Sequence, residues 1–84
     1  MKIGVIGIII TGSRESAEEV NKILSLYGDI VVGRMGVPNK EKGIFAISVI
    51  VKGENEQISA LSGKLGKIKN VKVKSAVTDL IKGA

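Results

Sequence analysis

Residues 2–10, KIGVIGIII, carry β-branched side chains at most positions and are bounded by TGS, which predicts a strand apolar on both faces. The period then switches. Ala17, Val20, Ile23, Leu24 and Tyr27 fall on one helical stripe with Arg14, Glu15, Glu18, Glu19 and Lys22 outside it, so residues 13–27 read as an amphipathic helix. Ser13 is placed to cap this helix, and Ser16 with Glu19 would make a capping box if it began later. The early glutamates suit the positive end of its dipole, and Gly28 suits a left-handed stop. A second strand over residues 30–36 gives way to a loop, GVPNKEKG: Pro38 cannot sit inside a central strand, and residues 39–43 have hairpin-turn chemistry. Residues 44–52, IFAISVIVK, interrupt their apolar run only at Ser48 and form a third strand. Asn55 is the expected cap of a second helix over residues 55–65, with Ile58, Leu61 and Leu65 as its stripe and Gly66 as its stop. The alternation VKVK places residues 70–77 in a fourth strand, and TDLIKGA reads as no more than one turn.

This order, with right-handed crossovers, predicts an α+β fold: a ferredoxin-like βαββαβ sandwich whose four-stranded antiparallel sheet carries both helices on one face. The first and third strands are then central, the second and fourth at the edges. On the last edge Val71 and Val73 turn to the core, while Lys72 and Lys74 turn outward and discourage stray pairing. The central strands break the alternation expected of a sheet covered on one side. Ile3, Val5 and Ile9 share one parity of the first strand, and Ile6, Ile8 and Ile10 the other. In the third strand Phe45, Ile47, Val49 and Val51 oppose Ile44, Ala46 and Ile50. Two helices cover only one of these sets, and the other exceeds the few hundred Å² that soluble monomers usually expose. The chain is therefore expected to be a homo-oligomer, a homodimer or homotetramer joined through the open sheet face with Lys72 and Lys74 as polar rim. Gly63 adds a smaller puzzle, because glycine inside a helix costs about 1 kcal/mol relative to alanine. With Ser59 and Ser62 it makes a flat strip that suits either tight packing on the chain's own sheet or close approach of another subunit or ligand.

Composition narrows the possible chemistry. The 84 residues are 44 % apolar, enough for one folded domain near the size where a lone core is marginal. Only Tyr27 and Phe45 are aromatic, so isoleucine, valine and leucine must fill the core. The absence of cysteine and histidine excludes disulfides, thiolate or imidazole metal sites, and thiol or histidine catalysis. A cytoplasmic protein with no metal and no cofactor is expected. The run MKIGVIGIII lacks the cleavage site of a secretory leader, and no stretch reaches the roughly 18 apolar residues of a membrane span. The net charge is +5, and lysines 64, 67, 69, 72, 74 and 82 gather in the last third, where they could contact phosphates. Sheets of this topology read RNA through exposed aromatics that this chain lacks, so the lysines are better explained by solubility.

Four residues are candidates for binding a ligand. In TGSRES, Gly12 allows close approach, Ser13 offers a hydroxyl and Arg14 a forked donor where a helix begins. No phosphate-loop or dinucleotide glycine pattern accompanies them. Arg34, in GRMGVP, stands near the end of an edge strand and could clamp a carboxylate. Some phosphatases of this fold use an arginine and an asparagine, for which Arg14 and Asn39 would stand. Their arginine cradle after the first strand is missing in its usual form, so no catalytic residue and no enzyme activity are expected.

The stretch ALSGKLGKIKNVKVKSA, together with RMGVP and its surrounding strands, resembles a family of small stand-alone regulators of the iron-only hydrogenase system. That family is similar to ACT domains and to the C-terminal sensor domain of nickel-responsive regulators, and the likeness runs from the first strand to about Val77. The resemblance implies an ACT-like, oligomeric regulatory or sensing domain with no DNA-binding domain of its own. The nickel site of those regulators uses histidines and a cysteine, so it does not carry over. ACT domains often bind amino acids near the first strand–helix turn at a subunit interface, the place that Gly12 and Ser13 hold here. The expected function is that of a homo-oligomeric regulatory domain that binds a small anionic metabolite or amino acid. The alternatives are a ligand-free protein-interaction module and, less favoured, a nucleic-acid-binding protein using the C-terminal lysines.

Overall fold

Six elements follow one another in the computed structural model, which describes residues 1–12, 14–39 and 43–80: β1 (Lys2–Thr11), α1 (Arg14–Leu26), β2 (Val31–Asn39), β3 (Ile44–Gly53), α2 (Asn55–Gly66) and β4 (Val71–Asp79). The strands form one antiparallel sheet in the order β2-β3-β1-β4, the ferredoxin-like α+β arrangement expected from the pattern. Register decides which side chains share a face. Ile6 stands opposite Val49, Ile8 opposite Ile47 and Val73, and Ile10 opposite Phe45 and Val71. That face meets Val20 and Leu24 of α1 and Ile58, Leu61 and Leu65 of α2 in a single buried core. The next residue along each strand points the other way. Val5 pairs with Ile50, Ile9 with Ala46 and Lys72, and Met35 with Ser48, on a face that neither helix covers.

Local chemistry departs from expectation at the ends of elements. The Ser13 cap lies outside the described residues. Ser16 starts no helix: it is buried in the first turn of α1, and its hydroxyl donates to the Lys69 carbonyl at 2.6 Å. Gly28 is not left-handed, because positive φ is confined among described glycines to Gly12 and Gly43. It sits instead in a turn whose N–H donates to the Ser25 carbonyl at 3.2 Å, and a Cβ there would stand tightly, 3.3 Å from that carbonyl.

α2 is capped by Glu54 rather than Asn55, the Glu54 N–H donating to Gln57 Oε1 at 2.9 Å. Gly66 is the last helical residue and Lys67 the cap, and the left-handed residue is Asn70, at φ 65. An asparagine tolerates that conformation, so the reversal is deferred to the entry of β4. The loop expected from Gly36 is a continuation of β2 to Asn39, opposite Val37 to Ala46 and Pro38 to Phe45. Pro38 is admissible there because β2 is an edge strand with one side unpaired. Thr78 and Asp79 likewise extend β4 instead of turning, and Lys2 Nζ donates to Asp79 Oδ1 at 2.6 Å across the β1–β4 pair.

Candidate functional site

The turn from β1 to α1 holds Gly12 at φ +68 with nothing within 4 Å of where a Cβ would stand. Its backbone is committed on both sides. The Thr11 N–H donates to the Asn70 carbonyl at 2.9 Å, and the Gly12 N–H donates to the Gly43 carbonyl at 2.8 Å. These bonds clamp the turn between the β2–β3 and α2–β4 connections and occupy an amide that would otherwise face an anion. Gly12 and Arg14 are exposed, and Ser13 is outside the described residues.

Arg34 belongs to a different place. It lies opposite Val49 on the helix-facing side of β2, where its Nη2 donates to Asn21 Oδ1 of α1 at 2.6 Å. Beneath this bridge opens a cleft of about 220 Å³ between α1 and the β2–β3 ribbon, which Gly12 and Arg14 do not line. Ile10, Phe45 and Ile47 contribute to it from the sheet, Ala17 and Asn21 from α1, and Arg34, Gly36 and Val37 from the edge strand. Two small residues account for the gap. Ala17 leaves α1 thin, and at Gly36 a Cβ would have its nearest neighbour, Ile47 Cγ1, at 3.9 Å, so the space a side chain would use is open. Phe45 is consequently 41 % exposed although its parity faces the helices.

Among the described residues no aspartate or glutamate lines the cleft and no carboxylate pairs with Arg34. The arrangement can therefore accept an apolar body with an anionic head at the guanidinium. Of the three described candidates, Gly12, Arg14 and Arg34, only Arg34 reaches this cleft. Asn21, Gly36 and Phe45 were not foreseeable as its companions; the one local signal was a glycine on an edge strand beside an arginine.

A second feature is the open sheet face. Val5, Ile9, Ile50, Met35 and Val37 are 46 %, 40 %, 42 %, 65 % and 55 % exposed, and Lys72 and Lys74 flank them on β4. Lys64 does not extend this flank, since its Nζ sits 5.2 Å from the centre of the Tyr27 ring on the helical side, and Lys82 lies outside the described residues. Among the described residues no group of three His, Cys, Asp or Glu side chains is placed to hold a metal ion, and no helix is long and apolar enough to cross a membrane.

Comparisons with known proteins agree with this architecture. The profile of the TM1266-like family, described as "Iron-only hydrogenase system regulator, putative", matches residues 2–75. The solved structure of the uncharacterized protein TM1266 from Thermotoga maritima is similar with a TM-score of 0.89 and 30 % identity, covering 94 % of this chain and 100 % of that one. The ACT domain of the GTP pyrophosphokinase of Chlorobium tepidum gives a TM-score of 0.70 at 21 % identity, over 88 % of this chain and 96 % of that one. The apo form of CPII from Thiomonas intermedia K12, a nitrogen regulatory PII-like protein, gives 0.63 at 17 %, over 93 % and 90 %. The last two likenesses show the fold alone. No curated protein matches the sequence.

Proposed function

We infer that this chain, which belongs to the iron-only hydrogenase system regulator family, is a regulatory domain that pairs with a second copy of itself and responds to a small anionic ligand. The observation that carries this reading is the uncovered apolar face of the sheet. The exposed parts of Val5, Ile9, Met35, Val37 and Ile50 amount to roughly 400 Å², which, contrary to the expectation from sequence, does not exceed the largest patch of an ordinary monomer, but is of the size that is often functional. Four strands about 4.8 Å apart and some 30 Å long present a footprint near 600 Å², comparable to the roughly 800 Å² each partner gives to a stable interface. A second copy supplies a surface of the same shape and polarity. A two-fold axis parallel to the strands lays β4 of one copy over β2 of the other, so that the stems of Lys72 and Lys74 cover Met35 and Val37 while their ammonium groups stay in water.

Regulation on this reading works in the cytoplasm through ligand-shifted assembly or docking of a partner, without covalent chemistry. Light scattering on Ile50→Asp tests it. A carboxylate at the centre of the buried face should halve the mass of the assembly, and an unchanged mass contradicts the reading.

A second reading, an interaction module with no ligand, is favoured by the turn, where the Gly12 amide is already bonded to Gly43. A thermal-shift screen of organic acids and amino acids separates the two. A specific acid that raises the melting temperature supports the ligand-responsive domain, and a flat screen with intact assembly supports the module.

A further inference from the structure

We propose that the cleft beneath the Arg34–Asn21 bridge binds a short, branched aliphatic carboxylate that carries no amino group, such as isovalerate or its 2-oxo relatives. This deepens the ligand-responsive reading above and rests on it for the regulatory consequence only; the binding stands on the cleft's own geometry.

Size sets the first limit. At about 220 Å³ the cleft lies between the ~150 Å³ cavity that holds a benzene ring and the ~300 Å³ at which drug-sized pockets begin. A molecule of roughly five to nine heavy atoms fits, and a nucleotide does not. Wall chemistry sets the second. Phe45, 41 % exposed, offers the main apolar surface for a branched hydrocarbon tail, with Ile47 and the buried Ile10 forming the floor behind it.

The polar end is set by Arg34. Its guanidinium has a neutral amide, Asn21, as partner, and that single bond at 2.6 Å orients it while leaving most of its five donors for an anion. A carboxylate can take two of them in parallel. Among the described residues a phosphate dianion would meet one cation, Arg34, and an apolar wall, which leaves half its charge unmatched. An α-amino acid is disfavoured for the complementary reason: among the described residues no aspartate or glutamate lines the cleft, so its ammonium group would lose water without gaining a partner there. The missing side chain at Gly36 keeps the volume open, and any larger residue there would compete with the ligand.

The test is a ¹H–¹⁵N NMR titration of the intact chain with isovalerate, α-ketoisocaproate, leucine and inorganic phosphate. The two acids should give saturable shifts at the amides of Ala17, Asn21, Gly36 and Phe45, with affinity about tenfold or more above leucine and with no saturation by phosphate. Arg34→Gln should weaken acid binding by about tenfold or more, and Gly36→Val should abolish it while Gly36→Ala, which adds one methyl group, weakens it partially. Absence of saturable shifts with both acids, leucine binding as tightly as they do, or Arg34→Gln binding as the parent does would each overturn the proposal. Acid binding in the cleft with no effect on assembly keeps the site and removes the regulatory reading. A stable homodimer with no acid bound removes the site and leaves the assembly standing.

Discussion

Ile8 and Ile9 are adjacent in β1, yet the fold assigns them opposite fates: Ile8 is fully buried under the helices and Ile9 is 40 % exposed on the open face. Replacing each by alanine separates the two faces of one strand. Truncating Ile8 removes three buried carbons, worth about 0.8 kcal/mol each, and leaves a void in a packed core, for a total of about 3–4 kcal/mol. Truncating Ile9 in an isolated subunit loses about 60 % of the transfer contribution, near 1.4 kcal/mol, with water free to fill the space. The lower strand propensity of alanine enters both values alike, because both residues occupy the same central strand. The difference should therefore be about 2 kcal/mol, large against the 4–13 kcal/mol expected for a domain of this size.

Urea unfolding followed by circular dichroism measures it, at sub-micromolar and at about 100 µM protein. At low concentration Ile8→Ala should be much the less stable variant. At high concentration the cost of Ile9→Ala should grow toward that of Ile8→Ala, since pairing of sheets buries Ile9 as well. Equal costs at low concentration would refute the assignment of faces. A cost of Ile9→Ala that is independent of concentration would refute its place in an interface.

Three further outcomes follow from the geometry. Gly53→Ala places a Cβ 2.9 Å from Gln57 Oε1 and 3.0 Å from Ile30 Cγ2, so Gln57 must release the Glu54 N–H; the expected loss is about 1–2 kcal/mol, and in a Gln57→Ala background the two costs should fall short of additivity. Gly63→Ala meets nothing within 4 Å and should stabilise the helix by about 1 kcal/mol in thermal melts, whereas loss of assembly would assign the strip to a subunit contact. The Lys2 ammonium, by hydrogen bond and then by charge, holds the Asp79 carboxyl below its ordinary 3.8. A depressed carboxylate contributes stability above its unfolded pKa and loses it as pH falls through the folded one. Wild type should thus exceed Asp79→Asn slightly at neutral pH and low salt. The gap should close below about pH 3.8 and at high ionic strength, because the pair is exposed.

Most of the fold was legible because it depends on period. The two parities of residues 2–10 and 44–52 announced a sheet with apolar surface on both sides; the pattern does not say which parity the helices cover, and register puts Ile6, Ile8 and Ile10 with Ile47, Val49 and Val51 beneath them. The ends of elements were less legible because several local solutions are nearly equal in energy. Pro38 forbids a central strand but permits an edge, and which of these applies is decided by β3 rather than by residues 36–39. Gly28 looked like a left-handed cap and Gly66 like a helix stop by type, yet Asn70 takes the left-handed conformation where the chain enters β4.

The candidate site was legible only in part. Arg34 could be named as an edge-strand cation, but its cleft exists because Asn21, thirteen residues earlier in sequence, and Phe45, across a hairpin, are brought to it by packing. The Gly12 turn had the composition of an anion site. Its amide proves to be bonded to Gly43, a long-range contact that no local pattern encodes.

The central claim, that one face of this sheet is built to meet a second copy, is tested most directly by sedimentation equilibrium of the unaltered chain across the micromolar range. The account predicts a mass of at least twice the 8.8 kDa subunit, with dissociation only on strong dilution. A single 8.8 kDa species at tens of micromolar, with Val5, Ile9 and Ile50 left in water, would contradict it.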